Sequence, residues 1–197
     1  MDFSTLILAG GRSRRMGRPK AFLPVEGETL LERAVRIARE LNPVEVLISG
    51  RAGHDYSALP GCRVVLDREP DLGPLGGIER GLASSRTPLL LVLAVDLPHI
   101  TAAFLRRLLG HCDASIGVVP RLDGRLEPLA AVYPTTSHRL ADRLLAQRQL
   151  AAQTFANACL LAQAVRILEL GGPEAALFRN WNTPADAAAG HLAPSLP

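Results

Sequence analysis

The order of apolar segments in this chain predicts an α/β fold, built as a doubly wound and mostly parallel sheet. Residues 5–8 and 89–95 are largely apolar runs of strand length, which is typical of parallel strands covered on both faces. Residues 29–41 instead space their apolar side chains as on one side of a helix. Strands that alternate with helices in this way bind their ligands beyond the carboxyl ends of the strands.

The remaining elements continue this alternation along the chain. The helix at 29–41 ends at Asn42-Pro43, because proline cannot continue a helix, and residues 44–49 follow as the second strand. A third strand at 63–66 and a helix at 75–85 come before the strand at 89–95, which Asp96-Leu97-Pro98 ends. The later elements are a helix at 101–111, strands at 115–119 and 129–133, helices at 137–147 and 150–162, and a strand at 165–170. We expect residues 1–189 to form a single domain and residues 190–197 a disordered tail.

Composition limits the classes of protein to consider. Of the 197 residues, 48% are hydrophobic and only 4% aromatic, which predicts one core of Leu, Val, Ile and Ala. The run at 89–95 is too short to span a bilayer, and no basic residue precedes the first apolar stretch as in a signal peptide. We therefore expect a cytoplasmic protein without membrane contact.

Neither the cysteines nor the histidines are spaced as metal ligands. Cys62, Cys112 and Cys159 are an odd number and lie far apart, so we interpret them as reduced thiols. The five histidines show no zinc pattern. The net charge of +3 would suit nucleic acid, but the positive excess outside the first loop is scattered, which favours small anionic substrates.

A glycine-framed loop of dense positive charge follows the first strand. Ala9-Gly10-Gly11 ends the apolar run, and consecutive backbone N–H groups in such a turn bind anions. Lys20 is the only lysine among 22 basic residues, and its compact ammonium suits a position between phosphate oxygens better than a planar guanidinium does. No acidic residue interrupts the positive charges of the loop, which are Arg12, Arg14, Arg15, Arg18 and Lys20. This pattern predicts polyphosphate binding, with a nucleic-acid patch or a solvated turn as the alternatives.

Two aspartates follow predicted strands. Asp96 ends the most apolar strand, so its carboxylate should emerge at the same sheet edge as the glycine loop. Mg²⁺ is the expected partner, because it takes one or two carboxylates together with substrate phosphates; a cap before Pro98 is the structural alternative. Asp67 precedes the turn Gly-Pro-Leu-Gly-Gly at 73–77, where a helix N-terminus is expected to face an anion or a nucleobase edge.

The segment Phe-Arg-Asn-Trp-Asn-Thr-Pro at 178–184 combines a helix start with two amides. Thr183 as N-cap and Pro184 as first helical residue explain its second half. Asn180 and Asn182 are not explained by that start, and their spacing projects both amides to one side of an extended segment.

These motifs, in this order, resemble those of the molybdenum cofactor guanylyltransferases. The loop at 8–20 reads Leu-Ala-Gly-Gly-x-Ser-x-Arg-Met-Gly-x-x-Lys, which is similar to the signature of nucleotidyltransferases in general. The turn at 73–78, Asp96-x-Pro98, Pro-Leu-x-Ala-x-Tyr at 128–133 and the segment at 178–184 resemble the guanylyltransferase subfamily. The resemblance implies a Rossmann-like sheet of the nucleotide-diphospho-sugar transferase type.

The resemblance also implies an activity, which is transfer of GMP from Mg-GTP to the terminal phosphate of molybdenum-bound molybdopterin. Molybdoenzymes or their chaperones are implied protein partners, and neither nucleic acid nor a membrane is expected. Arg15, Lys20 and Asp96 are the implied catalytic residues, Asp96 is the implied metal ligand, and Asn180 and Asn182 are implied on the acceptor side. The residues expected to bind the nucleotide, from the resemblance and from their own chemistry together, are Leu8, Ala9, Gly10, Gly11, Lys20, Arg51, Asp67, Gly73, Gly77 and Asp96.

The chain departs from the family at a position that contacts the nucleobase. Arg51 stands at or next to the position where the family commonly has an Asn that contacts guanine. An arginine can donate to guanine O6 and N7 but cannot accept from the amino group of cytosine, so we predict GTP over CTP. The alternatives are a molybdopterin cytidylyltransferase, another transferase with a phosphate acceptor, or a non-catalytic nucleotide- or RNA-binding module. Asp96 distinguishes the last, because a binding module needs no carboxylate facing phosphates.

Overall fold

The computed structural model describes residues 1–10, 19–51, 53–69 and 71–181. In these ranges the strands are β1 Phe3–Leu8, β2 Pro24–Val25, β3 Glu28–Thr29, β4 Glu45–Gly50, β5 Cys62–Leu66, β6 Leu89–Ala94, β7 Gly117–Leu122, β8 Arg125–Leu126, β9 Ala130–Pro134 and β10 Val165–Leu170. The helices are α1 Leu30–Arg39, α2 Gly73–Ser84, α3 Ala102–Gly110, α4 His138–Ala146 and α5 Ala152–Leu161, and short 3-10 helices occupy Lys20–Phe22, Thr135–Ser137 and Gly172–Phe178. None of these helices has both the length and the apolar content needed to cross a membrane.

One sheet organises the chain, in the order β10-β7-β9-β6-β1-β4-β5, with β8 paired to β7. Strands β6, β1, β4 and β5 are all parallel, and β10 is parallel to β7. Strand β9 runs antiparallel to both β6 and β7. The predicted mostly parallel α/β sheet is confirmed.

Helices cover both faces of the sheet. One core cluster joins α1 and α3 to the face that carries Ile7, Ile48 and Leu91. The other joins α2, α4 and α5 to the face that carries Leu6 and Leu47. Neighbouring residues of a strand point to opposite faces, so β1 and β6, between the two layers, are buried along their whole length. This explains the unbroken apolar run of β6 and the largely apolar sequence of β1.

Local signals fix where the helices begin. Thr29 accepts a hydrogen bond from the Glu32 N–H at 3.1 Å, and Glu32 accepts one from the Thr29 N–H at 2.6 Å. This reciprocal pair satisfies donors that the first helical turn leaves without partners. Thr101 caps α3 with a single bond, in which its hydroxyl oxygen accepts from the Phe104 N–H at 3.2 Å.

The structure adds elements that the sequence analysis did not predict. Strands β2 and β3 form a small hairpin whose turn places Glu26 at φ 50° and Gly27 at φ 89°. Two positive φ angles in a two-residue loop match the twist of the flanking strands. The 3-10 helix Gly172–Phe178 also follows β10 without having been predicted. The predicted helix start at Thr183 and the tail at 190–197 lie outside the described residues.

Gly77 allows α2 to lie close to β1 and β4, and this generates a prediction. A β-carbon at this position would overlap the Ser49 hydroxyl and would lie 2.8 Å from Leu8 Cδ2. We expect Gly77→Ala to lower the free energy of unfolding by about 1–3 kcal/mol, the usual cost of overpacking a core. Urea unfolding monitored by circular dichroism measures this change.

Gly110 provides the matched control. It is the last residue of α3, and no described atom lies within 4 Å of where its β-carbon would be. Gly110→Ala should leave stability unchanged or raise it by up to about 1 kcal/mol, because alanine favours the helix. Equal effects of the two substitutions would show that α2 is not closely packed at Gly77.

Candidate functional site

The carboxyl ends of the central strands form the base of a cavity of about 860 Å³. Leu8 at the end of β1 lies in register with Ser49 of β4 and with Ala94, the last residue of β6. Strand β4 continues to Gly50, so the three strands end within about one residue of each other. The volume lies in the range of small-molecule sites. Of the residues predicted to bind nucleotide, the cavity wall contains Leu8, Ala9, Gly10, Lys20, Arg51, Asp67, Gly73 and Asp96.

Lys20 and Asp96 place opposite charges together in this cavity. Lys20 Nζ lies 3.5 Å from Asp96 Oδ2, and the two side chains are 19% and 28% exposed. Lys20 begins a 3-10 helix after the loop, and Asp96 follows β6. The pair is therefore partly buried. Its geometry is informative, because both groups can be reached from the cavity and either can exchange its partner for a ligand.

The start of the glycine loop presents backbone to the same space. The Ala9 N–H donates to the Ser49 carbonyl at 3.0 Å, which extends the pairing of β1 and β4 by one residue. Gly10 follows on the cavity wall, and the nearest described atom to where its β-carbon would be is the Ser49 carbonyl oxygen, at 3.7 Å. Gly11 and Arg15, both predicted to contact phosphates, lie outside the described residues.

Arg51 is held by a residue that the sequence analysis missed. Its backbone N–H donates to the Tyr56 hydroxyl oxygen at 2.9 Å. Tyr56 approaches the backbone so closely that a β-carbon at Gly50 would lie 2.6 Å from the hydroxyl oxygen. The ring also packs against Phe22, with centroids 6.0 Å apart. The signals available in the sequence were Gly50 at the end of β4 and an aromatic residue, Tyr56, in the loop that follows.

Asp67 is a carboxylate with unused capacity. Its Oδ1 is buried without a hydrogen-bond partner among the described residues. Burial raises the pKa of Asp67, and the nearby Glu79 raises this pKa further, while Arg51 and Arg80 oppose the shift. A buried acceptor without a partner is costly, and it indicates that a hydroxyl or a cation can be accommodated here.

Glu79 is a second residue that the sequence analysis missed. Its side chain is 1% exposed, and its Oε1 forms an ion pair with Arg68 Nη2 at 2.8 Å and contacts His138 Nε2 at 2.7 Å. Arg68 also lines the cavity. A buried carboxylate of α2 therefore anchors part of the cavity wall from behind.

The other predicted site residues lie off the wall or outside the described chain. Gly77 packs against Ser49 behind the wall instead of lining it. Asn180 is exposed and does not line the cavity, but the N–H of the next residue, Trp181, donates to the Asp96 carbonyl at 3.2 Å. Asn182 lies outside the described residues. The structure thus brings the segment of Asn180 to the Asp96 end of β6.

The described part of the cavity offers a divalent metal ion only some of its ligands, so substrate phosphates and waters would have to supply the others. The described part of the chain contains no group of three or more His, Cys, Asp or Glu that could hold a metal. Asp96 and Asp67 both line the cavity, and Asp67 Oδ1 has no partner there. Mg²⁺ is commonly held by one or two carboxylates plus phosphates and waters, so this donor set fits such an ion.

Known proteins match this chain over most of its length. Residues 5–166 match the family described as the MobA-like NTP transferase domain. A protein of Opitutus terrae named "Probable molybdenum cofactor guanylyltransferase" is 38% identical over 183 residues, which cover 91% of this chain and 90% of that protein. A protein of the same name from Chloroflexus aggregans is 35% identical over 193 residues, covering 94% of this chain and 92% of that protein.

Solved structures share the fold. Molybdopterin-guanine dinucleotide biosynthesis protein A from Archaeoglobus fulgidus has a TM-score of 0.73 at 22% identity, covering 94% of this chain and 95% of that one. The 2-C-methyl-D-erythritol 4-phosphate cytidylyltransferase of Thermus thermophilus has a TM-score of 0.71 at 23% identity, covering 96% and 97%. At such identities the likeness extends to the fold alone, and the fold does not identify the base.

The raised pKa of Asp67 predicts that this residue lowers the stability of the protein without ligand. Because the pKa is higher in the folded state, the folded protein binds this proton more tightly than the unfolded chain. The loss of folding stability caused by ionised Asp67 is fully present at pH values above its pKa in the folded protein. This loss disappears as the pH falls below the pKa of Asp67 in the unfolded chain. Asp67→Asn should therefore raise the urea midpoint at pH 7, and the gain should shrink in acid.

Glu69→Gln is the control, because Glu69 lines the same cavity but is 62% exposed. Its effect should stay within about 0.5 kcal/mol, as is usual for surface substitutions. A destabilised Asp67→Asn protein at pH 7 would show that the carboxylate is satisfied in the folded state.

Proposed function

The chain belongs to the family of MobA-like NTP transferase domains and is therefore a nucleotidyltransferase, and we propose that it transfers GMP from GTP to the terminal phosphate of molybdenum-bound molybdopterin. The resemblance predicted from the motifs is confirmed at the level of the family. The observation that carries the proposal is the pair of Lys20 and Asp96 beside Gly10, in a cavity of nucleotide size. The names of the relatives support guanine as the base.

The proposed reaction requires little covalent chemistry from the protein. A phosphate oxygen of the acceptor attacks the α-phosphorus of GTP, a new P–O–P bond forms, and the bond to the β-phosphate breaks to release pyrophosphate. The attacking phosphate is ionised at neutral pH, so no general base is needed. Catalysis then depends on positioning and on neutralising the charge of the phosphates.

We assign these tasks to residues at the sheet edge. Lys20 would exchange its contact with Asp96 for the triphosphate and would balance the charge that develops on the leaving pyrophosphate. Gly10 and Gly11 would cradle the phosphates, and Arg15 would add a second cation. Positive charge near the phosphates stabilises the transition state more than the ground state where it meets the charge that develops on the leaving group.

Asp96 is the proposed ligand of the divalent ion, with Asp67 organising the ion or the ribose. When bound, Mg²⁺ would neutralise the phosphate oxygens. Asp67 suits a hydroxyl or cation partner because its Oδ1 is buried without one among the described residues. The two carboxylates follow β6 and β5, so the sheet holds both on the same edge.

Arg51 is the proposed reader of the base. Its guanidinium carries only donors, which match O6 and N7 of guanine. Tyr56 fixes the Arg51 backbone through the 2.9 Å hydrogen bond, so the Arg51 side chain extends from an ordered backbone. Gly73 and the backbone of Leu8 and Ala9 complete the proposed nucleotide pocket.

The proposal also covers the acceptor-binding residues, the cellular compartment and the protein partners. Asn180 and Asn182 are assigned to the acceptor, because Trp181 between them is bonded to the Asp96 carbonyl. Nucleoside triphosphates are cytoplasmic substrates, so we place the reaction in the cytoplasm. Molybdoenzymes or their chaperones are the proposed recipients of the product.

Replacement of Lys20 by arginine tests whether a point charge is needed. Lys20→Arg keeps the positive charge but substitutes a planar fork for the ammonium. We expect kcat to fall by about tenfold or more, which corresponds to about 1.4 kcal/mol, while the thermal midpoint changes little. Steady-state pyrophosphate release measures the loss.

The reverse exchange at an exposed site is the control. Arg86 is 72% exposed, and Arg86→Lys should leave kcat unchanged. Near-normal turnover of Lys20→Arg would mean that any cation serves at residue 20.

Base choice tests the guanylyl assignment directly. Each of the four NTPs is incubated with Mg²⁺ and molybdenum-bound molybdopterin, and the dinucleotide product is identified by mass. We expect the guanine product, and we expect Arg51→Ala to reduce the preference for GTP over CTP by about 10- to 100-fold, since a bidentate base contact is worth about 1–3 kcal/mol. Equal or better use of CTP by the unaltered protein would refute the guanylyl assignment and leave the nucleotidyltransferase assignment intact.

A further inference from the structure

A hydrogen bond between two aromatic side chains joins the C-terminal segment to the end of β6. The Trp181 Nε1–H donates to His99 Nε2 at 3.2 Å, and the rings meet edge to face with centroids 5.7 Å apart. The Trp181 backbone N–H donates to the Asp96 carbonyl at 3.2 Å. Trp181 is therefore bonded twice to the short segment that follows β6.

The indole fixes the chemical state of His99. An indole N–H can only donate, so Nε2 of His99 must be the acceptor and the ring proton must lie on Nδ1. Burial lowers the pKa of His99, the positive charges of Arg33 and Arg179 lower it further, and Glu26 opposes them. The surroundings thus favour the neutral imidazole that the bond requires.

The segment has a second anchor. Phe178 is buried and packs edge to face against Phe104, with centroids 5.5 Å apart. Arg179 and Asn180 lie between the anchors Phe178 and Trp181 and are exposed. Two buried rings therefore fix a short stretch of backbone and present Asn180 to solvent at the Asp96 end of β6.

We propose that His99 is a positioning residue, whose unprotonated Nε2 holds Trp181 and thereby fixes Asn180 beside the Asp96 strand end for acceptor binding. The role of Asn180 in acceptor binding rests on the proposed function, whereas the hydrogen bond between Trp181 and His99 is independent of it. An apolar ring at residue 99 could pack against the indole, but it would leave the N–H without an acceptor. The effect of His99 should therefore depend on an acceptor atom at Nε2 and not on ring volume.

Trp181 supplies its own reporter, because it is the only tryptophan of the chain. Fluorescence excited at the red edge of the absorption band, with acrylamide as quencher, measures its shielding without any substrate. His99→Gln keeps an acceptor near the position of Nε2 and does not titrate near neutral pH, whereas His99→Leu removes the acceptor. His111→Leu, at an exposed histidine after α3, is the control for loss of a histidine.

We expect the unaltered protein, His99→Gln and His111→Leu to share a shielded emission. His99→Leu should emit at longer wavelength and be quenched more strongly. Lowering the pH should shift the unaltered protein toward the His99→Leu spectrum, while His99→Gln should not respond. Identical spectra for His99→Leu and the unaltered protein, or an equal acid response of His99→Gln, would overturn the proposal.

Kinetics test the consequence for the acceptor. If His99→Leu holds the segment in place in only a tenth of molecules, KM for molybdopterin rises about tenfold. KM for GTP should not change, and His99→Gln should restore the acceptor KM. Equal rises in both KM values would indicate a general structural defect and contradict a positioning role. If the unaltered protein transfers no nucleotide, the proposed function and the role of Asn180 fail together, and the fluorescence result still decides whether His99 holds Trp181.

Discussion

The parallel pairing of β1 with β6 is the constraint on which the site depends. It places Leu8 opposite Ala94, so the glycine loop and Asp96 leave the sheet at the same edge, where Lys20 Nζ lies 3.5 Å from Asp96 Oδ2. A shift of one residue in this register would turn the side chains of β6 to the opposite faces. The largely apolar sequence of both strands, buried between two helical layers, therefore fixes the register that brings the glycine loop and Asp96 to one edge.

Polar groups around the cavity are arranged for a ligand at some cost to the fold. Asp67 Oδ1 and Glu79 Oε2 are buried without partners among the described residues, and burial near Glu79 raises the pKa of Asp67. Such groups lower the stability of the protein alone, yet they are ordered before a ligand arrives. Glu79 contacts His138 and Arg68, and Tyr56 bonds to the Arg51 backbone. Ordered polar groups reduce the entropy that binding would otherwise lose, which is the expected exchange of stability for function.

The sequence predicted elements and their shared edge better than it predicted the contacts that complete the site. Apolar runs located β1 and β6, and the rule for parallel strands brought Gly10 and Asp96 together. Periodicity carries no strand direction, so it did not show that β9 runs antiparallel to both of its neighbours. The bonds of His138 to Glu79 and of Trp181 to His99 join residues 59 and 82 positions apart, and no local pattern marks such pairs. The family came from ordered motifs, but the fold is shared with a cytidylyltransferase, so the fold does not identify the base, and the proposal for guanine turns to single residues such as Arg51.

We propose that Lys20 and Asp96 exchange their mutual contact for a nucleotide and a metal ion. A crystal structure with Mg²⁺ and a GTP analogue that cannot be cleaved at the α-phosphate tests it most directly. We expect the triphosphate over Gly10, Lys20 Nζ within hydrogen-bond distance of a phosphate oxygen, and Mg²⁺ bound by Asp96. Nucleotide bound elsewhere, with the 3.5 Å contact between Lys20 and Asp96 unchanged, would contradict it.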